Sequence, residues 1–192
     1  LAHEPGAHWS YSSGTSNILA RILRDTLGGT HATYAFIHSR LLAPLGIRSM
    51  VLEPDASGSP VGSSFSYATA RDWARLGQFW LQDGRWDGRR LLPEGWMHWS
   101  ASPAPAAPRG EYGAQFWLNA VLEGEHRSFP YLPPSMFLAH GFNSQVVAMV
   151  PEQEAVIVRL GFTTDDSWDD NAFMAAILAE LNQLNSPPGA ES

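Results

Sequence analysis

Two apolar, β-branched runs, Gln145–Val150 and Ala155–Leu160, flank the short link Pro151-Glu152-Gln153-Glu154. Runs of this kind joined so briefly predict an antiparallel hairpin, and what surrounds that hairpin decides the fold class. Strand-like sequence also covers Tyr112 to Val121, which is rich in aromatics, and Met136 to Ala139. A closing helix is predicted over residues 169–184, burying Phe173, Ile177, Leu178 and Leu181.

The first half of the chain reads differently. Ile18, Leu19, Ile22, Leu23 and Leu27 recur at the spacing of a buried helical face, with Ser13, Thr15 or Ser16 as a cap and Gly28-Gly29 as the stop. A second helix opens at Thr30 or Thr33, carries Tyr34, Phe36, Ile37, Leu41 and Leu42, and closes at Pro44 and Gly46. Ser49 to Leu52 has the character of a short strand, and residues 53–64 are turn-rich and read as a surface excursion. Thr69-Ala70-Arg71-Asp72 has the form of an N-terminal cap, leading into Trp73, Leu76, Phe79, Trp80 and Leu81 before Gly84. Asp87-Gly88 marks a turn, Pro93-Glu94 starts a short helix through Trp96 and Trp99, and residues 100–111 form a semi-rigid loop. Helices first, strands next and one closing helix predict an α+β architecture over residues 1–185, with 186–192 as a disordered tail.

Composition removes several function classes. A net charge of -7 leaves no basic face for nucleic acid or anionic membrane. No apolar run approaches the about 18 residues of a membrane span. Without cysteine there is no disulfide framework or thiolate nucleophile, and the compartment, periplasmic or cytoplasmic, stays open. His3, His8, His31, His38, His98 and His126 show no metal-ligand spacing, so neither a metal nor a cofactor is predicted. All 12 basic residues are arginine. A guanidinium stays protonated, so a mechanism that needs a lysine base cannot be complete within these residues.

Two stretches remain as candidates for chemistry. Pro5-Gly6-Ala7-His8-Trp9-Ser10-Tyr11-Ser12-Ser13-Gly14-Thr15-Ser16-Asn17 begins as a turn and runs into the first helix. It is either a serine-rich connector with a packed tyrosine or a loop that presents the Tyr11 phenol to a cleft. Ser13 is either a helix cap or a substrate contact. Ala139-His140-Gly141-Phe142-Asn143-Ser144-Gln145 closes the predicted strand ahead of the hairpin. There His140 is either hydrogen-bonded at a strand end or projects near a cleft, with a side chain able to change charge near neutrality.

Together these stretches resemble the penicillin-recognising serine hydrolases, in the branch of class C β-lactamases, carboxylesterases and 6-aminohexanoate-dimer hydrolases. Tyr11-Ser12-Ser13-Gly14 is similar to that family's second motif and Ala139-His140-Gly141 to its third. The run from Gly62 to Gly77 and the run from Gly84 to Pro93 are similar to the stretches between. The resemblance implies the carboxy-terminal portion of a β-lactamase/transpeptidase-like fold, with helices and an antiparallel sheet covered by a carboxy-terminal helix. It implies an acyl-serine intermediate on an ester or amide substrate, with Tyr11 as the catalytic acid/base. Ser13, His140, Gly141 and Phe142 fall on the substrate side. Two registers of the third motif stay open. With Gly141 as its glycine, Ala139 takes the cationic slot; shifted by one, His140 takes it. The family's Ser-x-x-Lys cannot exist in a chain without lysine, so nucleophile and lysine are expected in an upstream segment of the same parent. This chain alone is then expected to be inactive. The alternative is a non-catalytic relative, a binding domain or subunit that keeps the fold.

Overall fold

The computed structural model describes residues 2–165 and 167–185, so the tail expected over 186–192 lies outside the described residues. The chain divides into two compact units, Leu1–Met97 and His98–Ser192.

In the first unit, helix α1 spans Ser13–Leu27 and α2 spans Thr30–Ile37, continuing as a π-helical turn over His38–Leu42. Strands β1 (Val51–Leu52) and β2 (Ser66–Tyr67) pair antiparallel, followed by helix α3 (Ala70–Leu81). A second small hairpin pairs β3 (Arg85–Trp86) with β4 (Arg89–Arg90), and the short helix α4 (Trp96–Ser100) begins in this unit and ends in the next. Its two-residue turn is Asp87-Gly88 with φ of 47° and 73°, the backbone that matches strand twist and that this dipeptide tolerates. Leu42, Leu45, Ile47, Leu76 and Phe79 form the core of this unit, with Trp73, Trp80 and Trp86 packed against it.

Helix α3 starts where its cap signal placed it, with the Thr69 hydroxyl accepting the Asp72 N–H. Asp72 is buried, and its carboxylate accepts from the Ser49 hydroxyl at 2.7 Å, from the Ser49 and Arg48 N–H groups at 2.9 and 3.0 Å, and from Arg75. The Ser49 hydroxyl, against the opposing cost of burial, together with those N–H groups and the guanidinium, lowers the Asp72 pKa from 3.8 to about 2. A carboxylate lowered in the folded state stabilises it above the unfolded pKa, and that stability is lost as pH falls towards 2. Asp72→Asn is therefore expected to cost about 2 kcal/mol at neutral pH, with the gap to the parent closing between pH 4 and 2. Denaturation midpoints measured across that range check it; parallel profiles would refute the assignment.

In the second unit, β5 (Trp117–Leu118), β6 (Phe137–His140), β7 (Val146–Val150) and β8 (Ala155–Arg159) form an antiparallel meander in that order. The expected hairpin is β7–β8, turned by a 3-10 segment over Pro151–Gln153 and by Glu154 at φ 50°. Helix α5 (Asp170–Asn185) covers one face of the sheet. Leu138, Val146, Ala148, Val150 and Ile157 meet Met174 and Leu178 there. Phe137, Val147 and Met149 alternate to the opposite face, where Phe116 meets Phe137 edge-on at 5.5 Å.

Four expectations need correction. No residue of α1 is buried, although its pattern predicted a buried face. The inward stripe of α5 runs through Met174 and Leu178, which leaves Ile177 at the solvent-exposed rim. Tyr112 to Val121 is not one strand, because Gln115 at φ 72° reverses the chain and Tyr112 bridges back to Trp117. Residues 53–64 are no free excursion: Ser59 and Pro60 are buried, and Arg24 of α1 reaches the Ser57 carbonyl and hydroxyl. Among the described residues, no helix is long and apolar enough to cross a membrane.

Candidate active site

Tyr11 sits immediately before the cap of α1. The Pro5-Gly6 turn closes with Ala7 donating to the Glu4 carbonyl at 3.1 Å, and Gly6 takes φ 80°. The chain then extends to Ser12, whose φ of -147° and ψ of 127° are those of a helix cap. The Ser12 hydroxyl accepts the Gly14 N–H at 3.2 Å. The cap is therefore Ser12, and none of Ser13, Thr15 or Ser16; Ser13 is the first helical residue and is exposed. Tyr11 is 60% exposed, at the end of α1 where backbone N–H groups point outward and no acidic residue occupies the first turn.

What fixes this end of α1 is a close backbone approach. A Cβ on Gly62 would lie 2.5 Å from the Ser16 carbonyl oxygen and 3.2 Å from the Ala20 Cβ. Only glycine lets the 53–64 segment press so closely against the helix. At the other end, where Gly28 at φ 88° caps the helix, the Arg24 bonds to Ser57 tie α1 to the same segment. The helix that carries the Tyr11 loop is thus held at both ends by one loop.

His140, Gly141 and Phe142 lie together at the end of β6 in the second unit, whereas Tyr11 and Ser13 belong to the first. The Gly141 N–H donates to the Gln145 carbonyl at 2.7 Å, and Asn143 and Ser144 take φ of 55° and 60° in the tight turn between. Because peptide groups alternate in direction along a strand, the His140 N–H and C=O turn the other way, towards the β5 side. The Met136 carbonyl, in the same phase, accepts there from Asn119 N–H at 3.0 Å. Pairing of β5 with β6 covers Phe137 and Leu138 and stops before His140. His140 thus turns its backbone donor and acceptor to the β5 side, past the end of that pairing.

Its side chain goes elsewhere. The His140 Nε2 lies 3.3 Å from Asp170 Oδ2 at the start of α5, and the other Asp170 oxygen accepts the Trp168 Nε1–H at 2.7 Å. Arg159 lies over the Trp168 ring at 3.9 Å and donates to the Ser144 carbonyl and the Thr163 hydroxyl, both at 2.6 Å. Phe142 is exposed and meets Phe162 edge-on at 6.2 Å. Asp170 and Arg159 had no signal in the sequence, since they reach back 30 and 15 residues to His140 and the Ser144 carbonyl, and Trp168 joins them locally. A small cavity of about 170 Å³ opens beside this strand end, lined by Trp117, Leu118, Ser128, Phe129, Leu138 and His140. Among the described residues no cluster of His, Asp and Glu could hold a metal ion.

The chain thus combines an α+β fold with a tyrosine before a capped helix and a histidine at a strand end. The family model described as Beta-lactamase matches residues 1–183, and the chain belongs to that family. It is 24% identical over 175 residues to a 6-aminohexanoate-dimer hydrolase of Paenarthrobacter ureafaciens, a match that covers 84% of this chain and 40% of that protein. The chain thus spans about two fifths of the length of that relative. Its fold is similar to that of a Bacillus anthracis protein assigned by name to the 6-aminohexanoate-dimer hydrolases, with TM-score 0.70 and 23% identity over 97% of this chain and 47% of the other. A beta-lactamase of Mycobacterium bovis has TM-score 0.72 and 17% identity, over 93% of this chain and 66% of the other.

Proposed function

We propose that the chain is the carboxy-terminal portion of a serine hydrolase that cleaves an ester or amide through an acyl-serine, with Tyr11 as its proton handler. The observation that carries the reading is the placement of Tyr11 before the Ser12 cap, inside a family match over residues 1–183. The absence of lysine and the partial coverage of the relatives support a nucleophilic serine and its lysine in a segment upstream of Leu1.

In this mechanism the serine oxygen attacks the substrate carbonyl carbon while its proton passes to the Tyr11 oxygen. An ammonium beside the phenol favours the phenolate that accepts it. Collapse of the tetrahedral intermediate breaks the bond to the leaving group, which takes the proton back from Tyr11. Water then attacks the acyl-serine, giving its proton to Tyr11, and the serine is released on protonation from the same phenol. Ser13 of the first unit and His140, Gly141 and Phe142 of the second are the candidate substrate contacts that the family resemblance implies. His140 contributes its peptide groups on the β5 side, because its ring is engaged with Asp170. That pairing also favours the register in which Gly141 is the motif glycine and Ala139 holds the cationic slot.

The 192-residue chain by itself is expected to hydrolyse neither nitrocefin nor p-nitrophenyl acetate above the buffer rate. Turnover by this chain that disappears in Tyr11→Phe would place the nucleophile inside it and overturn the reading.

A further inference from the structure

The turn between β6 and β7 holds two consecutive residues in a backbone that few side chains favour. Asn143 and Ser144 stand at φ 55° and 60°. Left-handed backbone outside glycine costs free energy, and it persists where the surroundings over-determine it. Here they do so at both ends of the turn. Before it, the His140 ring meets Asp170 at 3.3 Å. After it, the Ser144 carbonyl accepts from Arg159, the last residue of β8. Between them, the Thr163 N–H donates to the Asn143 carbonyl at 3.3 Å.

Arg159 is where these restraints converge. One guanidinium nitrogen donates to the Ser144 carbonyl and the other to the Thr163 hydroxyl, while the planar group lies over the Trp168 ring. Trp168 is itself fixed by its Nε1–H on Asp170. One chain of contacts therefore runs from Ser144 through Arg159, Trp168 and Asp170 back to His140. Gly161 makes room for it, since a Cβ there would lie 2.5 Å from Arg159 Nη2 and 2.8 Å from Nη1. None of the ion pairs among the described residues involves Arg159. The fork of donors and the flat face serve geometry, and a lysine ammonium supplies neither.

We propose that Arg159 is a positioning residue for the substrate: by holding the β6–β7 turn it sets where His140, Gly141 and Phe142 stand. The inference rests on the function proposed above, which makes those three the substrate contacts.

Arg159→Met and Arg159→Lys are made in the longer polypeptide and assayed with p-nitrophenyl butyrate. Arg159→Met is expected to raise KM about tenfold with kcat within about threefold of the parent, and Arg159→Lys to fall between. Hydrogen exchange of the peptide covering residues 141–147 should quicken at least about tenfold in Arg159→Met, with no change in helix α3 of the other unit. Should that variant misfold, Thr163→Val removes one of the two acceptors and should move KM the same way by less. An unchanged KM in an active variant would overturn the inference, because the contacts would then serve stability alone. A fall in kcat at unchanged KM would do so too, by tying Arg159 to the chemical step. Fluorophosphonate treatment of the parent separates the two proposals. A parent without a serine adduct removes the acyl-serine reading, and the exchange rate then decides by itself whether Arg159 holds the turn. A labelled parent with unchanged exchange and KM in Arg159→Met removes the role of Arg159 and keeps the acyl-serine.

Discussion

Tyr11→Phe is expected to lower turnover of an ester by the longer polypeptide by about 10²–10⁴-fold while changing KM by less than about threefold. Phenylalanine keeps the ring and removes only the oxygen proposed to take and return the serine proton. The loop around it should hold, because its geometry is set by the Pro5-Gly6 turn and by the Ser12 hydroxyl on the Gly14 N–H. A variant that lost activity by unfolding would also lose its denaturation midpoint, so stability is measured alongside the rate. A Tyr11→Phe enzyme with near-normal kcat would transfer the proton role to another group and leave Tyr11 as a packing residue.

Asn119→Ala should produce the largest loss of stability, about 2–4 kcal/mol. Asn119 is fully buried, and its Nδ2 donates to the carbonyls of Phe129, Leu132 and Pro133 at 2.9, 3.1 and 3.0 Å. Its Oδ1 accepts the Phe129 N–H at 3.0 Å. One side chain therefore satisfies four backbone groups of the segment that brings Leu132 and Met136 into the core beneath the sheet. Alanine leaves the Phe129 N–H without its acceptor and takes one donor from each of three carbonyls, which keep only Leu132 N–H on Phe129, Arg127 on Leu132 and Met136 N–H on Pro133; an orphaned group that water cannot reach costs about 1–3 kcal/mol. Urea denaturation is the measurement, with an unchanged slope and a lowered midpoint expected. A shift worth less than about 1 kcal/mol would mean that the segment re-forms its bonds without Asn119.

The parts of the fold legible in the sequence are those fixed locally. The β7–β8 hairpin announced itself through β-branched runs around Pro151, and α3 through Thr69 three residues before Asp72. Asp87-Gly88 likewise required a tight turn. Tyr112 to Val121 misled because aromatic content signals burial on a sheet but says nothing of the reversal at Gln115. In α5 the choice between Ile177 and Met174 depends on a rotation of the helix that only packing against Val146 and Ala148 decides. The periodicity of α1 predicts a buried face, yet none of its residues is buried, because an apolar stripe does not say which polypeptide segment covers it.

The candidate site divides in the same way. Tyr11 stood out because turn residues and a helix start frame it, yet the cap fell to Ser12 and not to its neighbour Ser13. His140 stood out as an ionisable side chain at a strand end. Its engagement with Asp170, thirty residues on, is long-range and left no local trace. The structure therefore moves the interest at that position from the imidazole to the peptide groups on the β5 side.

The most direct measurement is to treat the longer polypeptide with a fluorophosphonate and map the adduct. The account predicts one labelled serine, upstream of Leu1 and within a Ser-x-x-Lys sequence, reacting much more slowly in Tyr11→Phe. An adduct on a serine inside the 192 residues, or an upstream sequence with no such motif, would contradict it.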